Sequence, residues 1–210
     1  MENKNKIILD LCWGTWSWSK PYKNAGYDVR VLTLPDFDVT QWWHYQDIYD
    51  LVVSWNVYWI LAAPPCTMFS RARTTWKTPR DFREAMRVVN ACMEIVRFAQ
   101  YENHFYLKFW ALENPVWHLQ RFLWRPPFKF QPYDFGDRHS KETCIWWYFN
   151  EPKKNPVKLT EEEILKSRNN TRVLPKIPLE YVKDKKMKDV QIRKSMTPEW
   201  FANAFFKANQ

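Results

Sequence analysis

The chain has 210 residues, 46% of them hydrophobic, and a formal net charge of +9 from 32 Lys and Arg against 23 Asp and Glu. That is enough apolar material for one α/β domain with a real core, and it excludes a disordered chain. The longest apolar stretch, Val57 to Cys66, is broken by Pro64 and Pro65 and too short for a bilayer, and Met1 to Lys6 carries no signal-peptide core, so secretion and membrane insertion are excluded as first readings.

Lys6 to Cys12 is a short apolar run that ends in an acid and then Gly14-Thr15, the pattern of a buried strand entering a turn. Trp18 to Ala25 is the expected helix after it, and Tyr27 to Leu34 the second strand. Val57 to Ala63 is a third strand, stopped by Pro64-Pro65. Between Pro79 and Gln100 apolar residues recur with a 3.6-residue period, which predicts an amphipathic helix with Pro79 in its first turn. Leu107 to Leu112 reads as a strand ended by Glu113-Asn114-Pro115, Thr143 to Phe149 as a late strand, and Pro198 to Lys207 as a closing helix. Strands alternating with helices imply a mostly parallel sheet with helices on both faces, and ligands at the carboxyl ends of its strands. Those ends carry Asp10 to Ser17, Pro64 to Cys66 and Glu113 to Pro115, three polar motifs expected to meet in one crevice.

Cys12, Cys66, Cys92 and Cys144 lie far apart with no C-x-x-C pair, which argues for reduced thiols in a cytoplasmic protein and against a disulfide scaffold or a metal site. Residues 151–210 hold 14 Lys and Arg against 8 acids. That basic tail either meets a phosphate backbone or is a solvated surface. The stretch from Glu151 to Lys194 is Lys- and Pro-rich and weakly periodic, the expected irregular part.

Asp10-Leu-Cys-Trp-Gly-Thr-Trp-Ser17 has the layout of a nucleotide-type loop, which needs small residues so that backbone N–H groups can approach a ligand. By itself it is equally a plain strand–turn–helix. Pro64-Pro65-Cys66-Thr-Met-Phe-Ser70 says more: two prolines set a rigid path out of the sheet, and the next residue is a thiol, the most nucleophilic side chain available. Cys92, on the apolar face of the long helix, reads as core packing. Glu113 offers a carboxyl at a neighbouring strand end, where partial burial would raise its pKa and fit it for proton donation. Taken alone, it is an acid near a helix start.

Together, Asp10 to Ser17, Ala63-Pro-Pro-Cys-Thr-Met-Phe-Ser70, Leu112-Glu-Asn-Pro115 and Phe135-Gly-Asp-Arg-His-Ser-Lys-Glu-Thr-Cys-Ile-Trp146 resemble, in order and spacing, the motifs of cytosine-C5 DNA methyltransferases, closest to the short forms of bacteriophage and metagenomic genomes. The resemblance covers roughly residues 6–149, with an echo in Arg193 to Phe206. It implies a Rossmann-like S-adenosylmethionine-dependent methyltransferase fold, with a catalytic core at 1–150, a short basic recognition segment at 151–194, and a C-terminal helix at 195–210 that returns to the core.

The same resemblance implies that Cys66 attacks C6 of a cytosine and that Glu113 protonates or hydrogen-bonds N3. S-adenosylmethionine would be lined by Asp10, Cys12, Gly14, Thr15, Trp16, Ser17 and Pro64, with Asp36 or Asp38 taking the ribose hydroxyls. Pro65, Ser70, Asn114 and Pro115 would border the substrate. Lys141 and Thr143 stand where the family often has an Arg-x-Arg pair for the base and phosphate. A target atom inside duplex DNA requires base flipping. The recognition interval is short, with Lys153, Lys154, Lys183, Lys185 and Lys186 as phosphate contacts, so specificity is low or comes from a protein partner. The leading expectation is a DNA methyltransferase of a bacterial or phage-infected cytoplasm. A catalytically silent relative that binds nucleic acid or a partner is a second reading, and an enzyme acting on free cytosine nucleotides a third.

One count stands apart. An average chain of this length carries roughly 15 glycines; this one has 3 Gly and 14 Trp. Trp13, Trp16, Trp59, Trp117, Trp124, Trp147 and Trp200 occupy positions where proteins resembling this chain tend to carry glycine, whereas Trp18, Trp110 and Trp146 fit as tryptophans. Selection for the bulkiest residue at glycine sites is hard to picture, since overpacking costs about 1–3 kcal/mol per site. UGA encodes Trp in one genetic code and Gly in another, and a gene read with the wrong table would show this exchange.

Overall fold

The computed structural model describes residues 2–12, 14–54, 56–71, 78–102, 106–169 and 193–210. Six strands form one sheet: β1 (Ile7–Leu11), β2 (Asp28–Leu32), β3 (Val57–Ala62), β4 (Phe109–Pro115), β5 (Phe128–Phe130) and β6 (Thr143–Tyr148), in the order β2-β1-β3-β4-β6-β5. β2, β1, β3 and β4 pair in parallel, and β6 runs antiparallel between β4 and β5. The helices are α1 (Lys20–Asn24), α2 (Gln46–Val53), α3 (Phe82–Glu102), α4 (Glu161–Asn169) and α5 (Glu199–Ala208).

The strands are apolar on both faces, so the period-2 alternation sorts their residues between two cores. Leu9, Leu11, Ile60 and Leu112 pack with Val89, Cys92, Ile95 and Val96 of α3 on one face. Ile8, Trp59, Leu61 and Ala111 pack with Tyr22 of α1 and Phe201 and Phe205 of α5 on the other. That second core is aromatic: Phe130 stacks on Phe201 with ring centroids 3.9 Å apart, and Trp18 meets Phe205 edge-on at 5.3 Å. No helix among the described residues is long and apolar enough to cross a membrane.

Several elements differ from expectation. The long helix begins at Phe82, not Pro79, because the Asp81 carboxylate accepts the Glu84 N–H at 2.9 Å and caps it. Glu113-Asn114-Pro115 does not end the fourth strand but lies inside it, opposite Ile145, Cys144 and Thr143 of β6. The antiparallel neighbour extends the ladder, and Pro115 at its last position needs no N–H. The helix after β1 is only Lys20–Asn24, with Trp18 and Ser19 buried in the turn before it. α2, β5 and α4 carried no expected element. α4 lies in the stretch read as irregular: a Glu161-Glu-Glu163 first turn favours the helix dipole where periodicity is weak.

Candidate active site

The first wall of the site is the loop after β1. Asp10 is buried, and its carboxylate accepts the Ser19 hydroxyl. Burial pushes this acid from 3.8 up to about 7, against the opposing pull of that hydrogen bond. The chain then turns through two left-handed residues, Cys12 at φ 64° and Trp16 at φ 56°. The Thr15 and Ser17 hydroxyls lie 3.1 Å apart, and Ser17 Oγ accepts the Thr197 N–H at 2.9 Å. A Cβ built on Gly14 would meet nothing within 4 Å. The Cys12 thiol sits 3.7 Å from that of Cys92 and is pushed well up, first by that hydrogen bond, then by burial and by the charges of Cys92, Asp10 and Asp38.

Asp38, whose charge adds to that push on Cys12, lies in the segment after β2. Its Oδ1 accepts the Thr40 N–H at 2.9 Å and hydroxyl at 2.8 Å, so one oxygen caps the short 3-10 helix Val39–His44. Asp36 is exposed on the turn after Pro35.

The second wall is the loop after β3. Cys66 is half-buried at its start, and its carbonyl accepts the Phe69 N–H at 3.0 Å and the Ser70 N–H at 2.7 Å, folding residues 66–70 into a tight turn. Two outside groups hold that turn. His118 N–H donates to the Phe69 carbonyl at 3.1 Å, and the Arg80 guanidinium donates to the Met68 carbonyl and to the Ser70 carbonyl, the latter at 3.0 Å. Arg80 was not foreseen. Its role depends on carbonyls ten and twelve residues back, which no periodicity announces.

The third wall is the end of β4 with the segment before β6. Glu113 is buried, and Lys141 Nζ approaches its Oε1 at 3.6 Å. Burial raises the Glu113 carboxyl and the Lys141 charge and hydrogen bond pull it back. Lys141 also donates to the Met196 carbonyl at 3.3 Å. Cys66 lies in the field of both groups: burial raises its thiol, Lys141 lowers it and Glu113 raises it. Asn114, fully buried, donates from Nδ2 to the Pro64 carbonyl at 3.0 Å, joining the two motifs directly. Thr143 is buried with its hydroxyl on the Lys141 carbonyl at 2.9 Å, and Pro115 stands opposite it across the strand pair.

His139 is a second residue that sequence reasoning missed. It is buried, and burial and the Lys141 charge push it down to about 4, so it is neutral at physiological pH. Lys154 pairs with Asp134 at 3.2 Å and Lys153 is exposed; Lys183, Lys185 and Lys186 lie outside the described residues.

Four adjacent parallel strands, an antiparallel strand inserted before the edge and helices on both faces define a Rossmann-like α/β fold. No family model matches the chain, and no curated protein does. Among solved structures it is similar to the Dnmt2 methyltransferase of S. pombe, with 12% identity and a TM-score of 0.44, over 76% of this chain and 58% of that one.

Polar groups in the first and third walls fit S-adenosylmethionine. Asn114 Oδ1 is buried with no hydrogen-bond partner among the described residues, an acceptor left open beside the Pro64 turn. Gly14 leaves its backbone uncovered. The exception is the large indole of Trp16 on a left-handed residue of the same loop.

Proposed function

We propose that this chain is a cytoplasmic DNA methyltransferase that transfers a methyl group from S-adenosylmethionine to C5 of cytosine through a covalent Cys66 adduct. The observation that carries the reading is the mutual field of Cys66, Glu113 and Lys141, with Lys141 Nζ 3.6 Å from the Glu113 carboxylate and both charges acting on the thiol. In the free site burial keeps Cys66 a thiol, and the Glu113 charge works the same way. Protonating Glu113 removes that opposition and leaves Lys141 to favour the thiolate. Ionisation of Cys66 and protonation of Glu113 therefore assist one another, and a single proton passed from Sγ to the carboxylate arms both groups.

Cys66 Sγ then adds to C6 of a flipped-out cytosine while Glu113 gives its proton to N3, so that electron density gathers at C5. S-adenosylmethionine, when bound, supplies the electrophilic methyl that C5 takes up. Water at the site then takes the C5 proton, the C6–S bond breaks to release the Cys66 thiolate, and the N3 proton returns to the Glu113 carboxylate, which restores the ring. Lys141, held by Met196, keeps the Glu113 carboxyl in place and offers a cation to the base or its phosphate. Specificity would be short, or supplied by a protein partner.

A DNA duplex carrying 5-fluorocytosine tests this, because fluorine at C5 cannot leave as the proton does. With S-adenosylmethionine the protein should form a covalent adduct that is absent in Cys66→Ala. An adduct that persists in that variant overturns the assignment. The bulky Trp16 favours a second reading, a catalytically silent nucleic-acid-binding relative, and DNA binding without any adduct would support it.

A further inference from the structure

The structure sets several of the tryptophans suspected from the sequence apart from those that fit as tryptophan. Trp18, Trp110 and Trp146 are 1%, 8% and 0% exposed, and the Trp146 indole N–H donates to the Trp124 carbonyl at 2.7 Å. Such burial is how tryptophan behaves. Trp117, Trp124 and Trp200 are instead 37%, 51% and 58% exposed. Trp16 sits at φ 56°, a conformation glycine adopts freely and a bulky side chain rarely does. Trp59 is in the core against Tyr22, Tyr27 and Phe109, and its place among the suspected positions rests on the sequence. Trp13 and the side chain of Trp147 lie outside the described residues.

Exposure and a left-handed backbone are unrelated physical signs. At Trp16, Trp117, Trp124 and Trp200 they fall on positions already suspected because glycine is scarce and tryptophan abundant in this chain. We propose that positions 16, 59, 117, 124 and 200 are glycine in the functional protein, encoded by UGA codons of a genetic code in which UGA means glycine, and that the Trp16 indole closes a cofactor loop that is open when residue 16 is glycine. The second half rests on the proposed methyl transfer; the first does not.

With glycine at 16 the left-handed turn costs nothing and its backbone N–H lies bare beside Gly14, Thr15 and Ser17, the approach a nucleoside-bearing cofactor needs. With tryptophan the indole blocks that approach, and the Lys23 ammonium lies 4.1 Å from its ring centroid.

The gene decides the first half. UGA is expected at codons 16, 59, 117, 124 and 200, and UGG at 18, 110 and 146; UGG at 16 and 117 overturns the proposal. For the second half, binding of S-adenosylmethionine is measured by calorimetry on the chain as written, on Trp16→Gly and on the fivefold glycine variant. Trp16→Asn, which also tolerates the left-handed region, serves if Trp16→Gly fails to fold. Opening the loop should tighten binding at least tenfold. Equal or weaker binding by folded variants, while the chain as written does bind, overturns the role given to Trp16. UGA codons with no binding by any variant would keep the glycine assignment and overturn the methyl-transfer reading instead, so the two failures are distinguishable.

Discussion

Asn114 reaches from β4 to the Pro64 carbonyl just past β3, 3.0 Å away and fully buried, so the residue next to Glu113 fastens its strand to the turn that presents Cys66. Asn114→Ala leaves the Pro64 carbonyl buried without its donor and should destabilise the protein by about 1–3 kcal/mol. Urea denaturation measures the loss; a change within error would mean that the two strand ends are held by the sheet alone.

Glu113 and Lys141 act on Cys66 with opposite signs, so removing each should move the thiol in opposite directions. Lys141→Gln leaves it harder to ionise, and Glu113→Gln makes it easier. The pH dependence of Cys66 alkylation by iodoacetamide, followed by peptide mass, should shift up in the first variant and down in the second. Shifts of one sign in both would remove Cys66 from their common field.

Glu113 is also the proposed acid, and Glu113→Gln should cut methyl transfer roughly 10²–10⁴-fold. Burial raises its pKa, so the protonated form survives to higher pH than in an exposed glutamate. The rate should fall on the alkaline side as this proton is lost, and the residual rate of Glu113→Gln should lack that limb. A limb that persists in the variant assigns it to another group.

Asp10 gives a stability test with a definite sign. Its folded pKa of about 7 lies above the ordinary 3.8, so the native state keeps a proton that the unfolded chain has released. Its share of the stability is therefore full below pH 4 and is lost as pH rises through 7, on the order of 4 kcal/mol. Asp10→Asn, which can still accept the Ser19 hydroxyl, should flatten the pH dependence of the denaturation midpoint between 4 and 7. A slope equal to wild type would show that this carboxyl is ionised in the fold.

Arg80 clamps two carbonyls of the turn behind Cys66. Arg80→Met should leave the melting temperature nearly unchanged but lower kcat about 10–10²-fold, since small displacements of a nucleophile are costly. Arg80→Lys, a point charge without the guanidinium fork, should restore it only in part. A rise in KM with kcat intact would make Arg80 a DNA contact instead.

What the sequence determined by itself was local. The β1, β3 and β6 strands were legible because both sheet faces are covered, which makes each mostly apolar, β2 by the valines that alternate with Asp28 and Arg30, and α3 because its 3.6-residue stripe is long. The candidates Cys66 and Glu113 could be picked out too, since a thiol after two prolines and a carboxyl before Asn-Pro are patterns within a few residues. Only tertiary structure decided that Glu113 to Pro115 stay in a strand, because the partner that extends it, Thr143 to Ile145, is some 30 residues away in sequence. Lys141 meeting Glu113, Arg80 gripping the Cys66 turn, neutral His139 and the Asn114 tie are likewise side chains meeting backbone or charge at a distance. Composition exposed the surplus of tryptophan, but only the folded chain separates those whose indoles are buried and bonded from one forced into a glycine's backbone conformation, because burial and φ exist only once the chain has folded.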